Sequence, residues 1–149
     1  MYNKILVPLD GSKRAEAILL HAEEMANRYG AEIIFLRVEE LFVMLEWDEV
    51  VDLENCREKF DARKKTSEEY LAQLKSEFRD KGIRADGRVV HGPVVKSILN
   101  AAEEMDADIV LMASHGLGGL FRTFYGSVTA GVLQKIDRPL LIIRTRRLE

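Results

Sequence analysis

Short, continuous apolar runs punctuate the chain, and between them the apolar positions spread out to helical spacing. "KILVPL" (Lys4–Leu9) has no polar alternation and ends at Pro8 and at Asp10-Gly11-Ser12, which predicts a buried strand running into a turn. Residues 12–30 then place Ala15, Ile18, Leu19, Ala22, Met25, Ala26 and Tyr29 at helical spacing, with Ser12 as N-cap and Gly30 as the C-terminal stop. "EIIFLRV" (Glu32–Val38) reads as a second buried strand. The same alternation returns later, with strands over Arg84–Gly92, Asp108–Ala113 and Pro139–Thr145. Helices are predicted over 93–105, with Pro93 at its start, and over 127–136.

Five strands that are apolar on both faces and alternate with helices predict a parallel sheet covered on both sides. The fold class is therefore α/β: a single doubly wound, Rossmann-like domain over residues 1–149. Such sheets take ligands beyond the carboxyl ends of their strands, where the strand order reverses. The candidate positions are Pro8 and Asp10 after the first strand, Val38 and Glu39 after the second, and Met112 to Gly116 after the fourth.

The stretch from Glu39 to Gly82 is too long for one connection. Its second half, 57–82, spaces Phe60, Tyr70, Leu71, Leu74 and Phe78 on one helical face. Its first half, "LFVMLEWDEVVDLENC", is rich in large apolar residues and follows a ligand-bearing strand end. It reads either as a lid or oligomer contact or as a short helix packed on the core, and 39–62 is treated as a variable insertion.

Composition narrows the classes. With 22 Lys+Arg against 25 Asp+Glu, the net charge of −3 asks for no polyanionic partner, so nucleic acid is not expected. "LFVML" and "PLLII" fall far short of the roughly 20 apolar residues of a membrane span, and "MYNKILVPLD" lacks the h-region of a signal peptide. The single cysteine, Cys56, has neither a disulfide partner nor a CxxC mate and reads as an ordinary thiol; a reducing cytoplasm is expected. The terminal Leu148-Glu149 is compatible with a cloning remnant and carries no weight.

Two elements could carry chemistry. Asp10 could accept ribose hydroxyls or hold a metal ion near phosphates; alternatively Asp10-Gly11-Ser12 only turns the chain and caps the helix. "ASHGLGGLFRTFYGS" (113–127) links a buried strand to a helix N-terminus, whose unpaired N–H groups and dipole favour an anion. Gly116 and Gly126 would let backbone amides approach phosphate oxygens, and Ser127 adds a hydroxyl. Glycines that merely serve turns are the competing explanation, and neither a Walker A loop nor GxGxxG is present. His115 and His91 have no assignable acidic partner, and a structural hydrogen bond is the plainer role for each. Arg122 reads as a solvated loop arginine or as one that reaches a phosphate, and the terminal "RTRR" as a solvated strand end or as the frame of an acidic partner surface.

The loop also carries a resemblance. Gly116, nine residues, then Gly126-Ser127 is similar to the Gly-x2-Gly-x9-Gly-[Ser/Thr] motif of the universal stress protein family, in its ATP-binding branch. "KILVPLDGS" and "RPLLIIR" resemble that family's first and last strands. Ala113 stands where the motif has its first glycine. If that position needs a positive φ, alanine would be strained by about 1 kcal/mol or more; if glycine is there only for closeness to the sugar, a methyl is tolerated.

The resemblance implies a cytoplasmic nucleotide-dependent sensor or switch that binds ATP or another adenine nucleotide with Mg2+ or Mn2+, with little or no hydrolysis. It implies that Pro8 and Asp10 flank the adenosine, with Asp10 towards ribose and metal, and that the Val38 backbone meets the adenine edge. Met112 and Ala113 would line base and sugar, while Gly116, Gly126, Ser127 and Val128 would offer donors to phosphate. It further implies a homodimer through the last strand, Pro139–Thr145. A slow metal-dependent nucleotide hydrolase and a nucleotide-free dimeric interaction module are the rival readings.

Overall fold

A strand that is apolar on both faces must be covered on both, and the fold answers that demand. The computed structural model describes residues 1–40, 53–114 and 127–144. The elements are β1 (Lys4–Pro8), α1 (Lys13–Glu16), α2 (Ile18–Tyr29), β2 (Glu32–Glu39), α3 (Leu53–Asp80), β3 (Ala85–His91), α4 (Val94–Glu104), β4 (Ile109–Ala113), α5 (Ser127–Lys135) and β5 (Leu140–Ile143). The strands form one sheet in the order β3-β2-β1-β4-β5, and every pairing is parallel.

Side chains alternate across each strand. On one face, Ile5, Val7, Ile33, Phe35, Ile109 and Leu111 pack with Ile18 and Ala22 of α2 and with Leu71, Leu74 and Phe78 of α3. On the other, Leu6, Ile34, Leu36, Val38, Val110 and Met112 pack with Ile98, Ala101 and Ala102 of α4 and Val132 of α5. The predicted doubly wound α/β architecture is thus present, with helices on both faces of a five-stranded parallel sheet.

Local details depart from the sequence reading. The helix predicted over 12–30 forms as α1 and α2, interrupted in its bonding at Ala17, which keeps helical angles (φ −56°, ψ −24°). Ser12 does accept the first intrahelical bond, from Glu16 N–H at 3.2 Å, and Gly30 ends α2 in the left-handed conformation at φ 65°. Tyr29, read as part of the buried face, is 43% exposed and rests edge-on against Tyr2. α3 begins before the predicted start at residue 57, and Cys56 falls within it. Pro93 occupies the N-cap of α4 rather than its first turn. β5 is shorter than Pro139–Thr145, and Thr145 lies outside the described residues.

The ends of the sheet are tied by polar groups. Asp108 Oδ2 accepts the N–H of Asn3 (2.8 Å) and of Lys4 (2.9 Å), fixing the entry to β1. Arg138 Nη1 donates to the carbonyls of Ala102 (2.6 Å) and Ala107 (3.0 Å), which joins the β5 approach to the end of α4. No helix among the described residues is long and apolar enough to cross a membrane.

Candidate functional site

From β1 the chain winds outwards to β2 and β3, then returns to the other side of β1 for β4 and β5, so the order reverses between β1 and β4. At that point, beyond the carboxyl ends of the strands, lies a cleft of about 150 Å³. Its walls come from Pro8, Leu9 and Asp10 after β1, Leu36 to Val38 of β2, and Met112 and Ala113 of β4. Val94 and Ile98 of α4 and Val128 and Thr129 of α5 complete it, so two helix N-termini flank the opening.

The bonding rhythm of β2 determines what this cleft can read. Leu36 accepts the N–H of Leu9 at 2.8 Å, and Glu32 donates to Asn3 at 2.9 Å, so the peptide groups of even-numbered β2 residues face β1. Odd-numbered residues face β3: Ile33 donates to Arg84 and Glu39 accepts from Gly92. The ladder with β1 ends at Pro8 opposite Leu36. Val38 is next in the even series, so its N–H and C=O point past the end of β1, a donor and an acceptor side by side on one edge.

Asp10 also lines the cleft, and it does turn the chain as well. Its Oδ1 accepts the Ser12 N–H at 2.9 Å, and Gly11 takes a left-handed φ of 83° that suits glycine. The two expectations for Asp10 are therefore compatible in one side chain, because a carboxylate has acceptor capacity beyond one bond.

Ala113 is the last residue of β4. Among the described residues the single non-glycine with positive φ is Asp106, at 51°. The backbone at Ala113 thus needs no glycine, and its methyl group lies on the cleft wall without backbone strain. The carbonyl of Ala113 accepts the hydroxyl of the buried Thr129 at 3.1 Å, and this bond fixes the first turn of α5 to the end of β4.

A polar layer adjoins the cleft on the α3 side. Arg37 Nη1 donates to the Val38 carbonyl at 3.3 Å, and Nη2 lies 3.6 Å from Glu39 Oε1. Glu39 in turn accepts the hydroxyl of Ser67. Beside them Tyr70 donates to Glu16 Oε1 at 2.9 Å. Burial, then that hydrogen bond, pushes the Tyr70 hydroxyl well above its ordinary value; the charge of Asp10 adds to the rise and that of Arg37 opposes it.

Of the residues singled out in the sequence, the structure brings Pro8, Asp10, Val38, Met112, Ala113 and Val128 together around one cleft. Ser127, the exposed first residue of α5, adjoins it through Val128. Gly116 and Gly126 lie outside the described residues, as do His115, Arg122 and the segment 41–52. Glu39 faces the polar layer instead, and His91 packs at a tilt against Phe60, with ring centroids 4.6 Å apart. Sequence reasoning missed Arg37, Thr129, Leu36 and Ile98. Arg37 alone left a signal: a charge interrupting the apolar run "IIFLRV".

A family model described as the universal stress protein family matches residues 1–144. The chain is 31% identical to universal stress protein MJ0577 of Methanocaldococcus jannaschii, covering 98% of this chain and 97% of that one. Against the solved structure of MJ0577 the TM-score is 0.86 at 29% identity, with 99% of each chain covered. A universal stress protein solved in complex with cAMP gives a TM-score of 0.66 at 20% identity, covering 97% of this chain and 98% of that one. One from Archaeoglobus fulgidus in complex with dAMP gives 0.62 at 19%, covering 95% and 97%. At those two identities the likeness is one of fold.

Proposed function

The chain belongs to the universal stress protein family, and from that premise we propose that it binds an adenine nucleotide, ATP foremost, as a nucleotide-dependent switch in stress response. The observation that carries this reading is the edge of Val38. A peptide N–H and C=O side by side complement the N1 acceptor and 6-amino donor of adenine, inside a cleft walled mainly by apolar groups. The cAMP- and dAMP-bound relatives support it as proteins of the same fold.

In this reading Pro8 and Asp10 flank the adenosine, with Asp10 on the ribose side. Met112 and Ala113 line base and sugar, and the phosphates lie towards Gly116, Gly126, Ser127 and Val128, where the N-terminus of α5 favours negative charge. Among the described residues no cluster of three or more His, Cys, Asp or Glu could hold a metal. In this reading Mg2+ or Mn2+ enters with the phosphates, and Asp10 is the described residue placed to join it. Hydrolysis is slow or absent in this proposal, and His91 is engaged with Phe60 rather than with the cleft.

β5 forms one edge of the sheet, and its half-exposed "LLII" is an apolar edge that a second copy would cover. A cytoplasmic homodimer through this strand belongs to the same proposal, and a monomer in sedimentation at micromolar concentration would refute that part.

Titration with ATP and magnesium, followed by calorimetry and by thermal unfolding, tests the central claim. Free ATP at 100 times Kd should add about 2.7 kcal/mol of stability. No heat and no shift at millimolar ATP would defeat it.

A further inference from the structure

Arg37 is placed where the base of a bound nucleotide would be read. Its Nη1 donates to the same Val38 carbonyl that faces past the end of β1. Its Nε lies 3.9 Å from where a Cβ on Gly11 would stand, so the guanidinium spans from β2 to the β1–α1 turn. Both of its polar contacts, 3.3 Å to Val38 and 3.6 Å to Glu39, are long for a guanidinium, whereas its ion-pair partner Glu39 is held by Ser67 of α3. The side chain is largely buried, on the wall of the cleft and also of the neighbouring hollow formed by Glu39, Ala62, Arg63, Thr66 and Ser67.

The chemistry of that position differs from the chemistry of the peptide edge alone. Val38 by itself offers a donor at N1 and an acceptor at the 6-position, which match adenine and oppose the N1–H and 6-oxo group of a 6-oxopurine. A guanidinium beside that carbonyl adds a cationic N–H donor there. Arginine N–H donors are well matched to the acceptor face of a 6-oxopurine, its O6 and N7. We propose that Arg37 is a specificity-determining residue that lets this cleft accept a 6-oxopurine nucleotide, guanine or hypoxanthine, alongside an adenine nucleotide. The inference rests on the nucleotide-binding reading above and adds to it the class of base.

Calorimetric titration of the full chain with ATP and with inosine triphosphate, for wild type and Arg37→Met, tests it. The ratio of the inosine triphosphate Kd to the ATP Kd should rise by about tenfold or more in Arg37→Met. A smaller rise, with ATP still bound, overturns the role of Arg37 and leaves the adenine site standing. Absence of binding by either nucleotide to wild type overturns both. Should Arg37→Met fail to fold, wild type decides: inosine triphosphate bound within about tenfold of ATP upholds the proposal, and a larger gap overturns it.

Discussion

Gly131 of α5 sits so close to Val95 of α4 that a methyl group placed on it would stand 2.8 Å from Val95 Cγ2 and 3.3 Å from Cγ1. Valine in a helix is nearly confined to one rotamer and cannot swing clear. Gly131→Ala would gain up to about 1 kcal/mol of helix propensity and lose about 1–3 kcal/mol to overpacking. A net loss near 1 kcal/mol is expected in urea unfolding. In a Val95→Ala background the same change should be neutral or stabilising, and the double-mutant cycle isolates that coupling.

Ala113→Gly separates strain from simple proximity at the end of β4. Since φ there is not positive, glycine relieves nothing and adds only backbone freedom. Stability should fall by about 0.5–1 kcal/mol. A gain in stability would show that alanine is strained after all.

Arg138→Ala should destabilise by about 2 kcal/mol, because its guanidinium satisfies two carbonyls at the end of α4 and just beyond it. Arg138→Lys keeps the charge but not the planar fork, so it should fall between wild type and alanine in thermal unfolding.

Tyr70 sets an alkaline dependence. Its folded-state pKa lies above its unfolded value, so between those values the native state holds a proton that the unfolded chain has lost. That contribution is fully present below about pH 10, the ordinary tyrosine value, and is lost as pH rises beyond it. Stability measured from pH 8 upwards should decline less steeply in Tyr70→Phe than in wild type.

The strands were legible in the sequence because burial on both faces leaves a continuous apolar run, as in Ile5-Leu6-Val7. The site was legible in position because topology puts it beyond strand ends, where Pro8, Asp10 and Val38 already stood out. Arg37 was not, since its significance depends on a carbonyl left over by the β1 ladder and on Glu39 and Ser67 held across from α3. Thr129 and Gly131 read as ordinary helix residues, because the Ala113 carbonyl and the Val95 side chain that define them are distant in sequence. Tyr29 shows the converse: helical spacing pointed it inwards, and it lies half-exposed against Tyr2 near the edge of the buried face.

β1 is the middle strand, and Ile5 pairs with Ile109. The first strand of the sheet to be made therefore waits for the fourth before its second flank is closed. A nascent or truncated chain ending before residue 109 has β2 to pair with β1 and β3 to pair with β2, yet has no β4 wall and no α5. Contacts this distant in sequence slow folding and leave an apolar strand open to wrong partners meanwhile. The cleft thus takes shape only once β4 and the start of α5 have joined the earlier strands, since Met112, Ala113, Val128 and Thr129 form part of its wall.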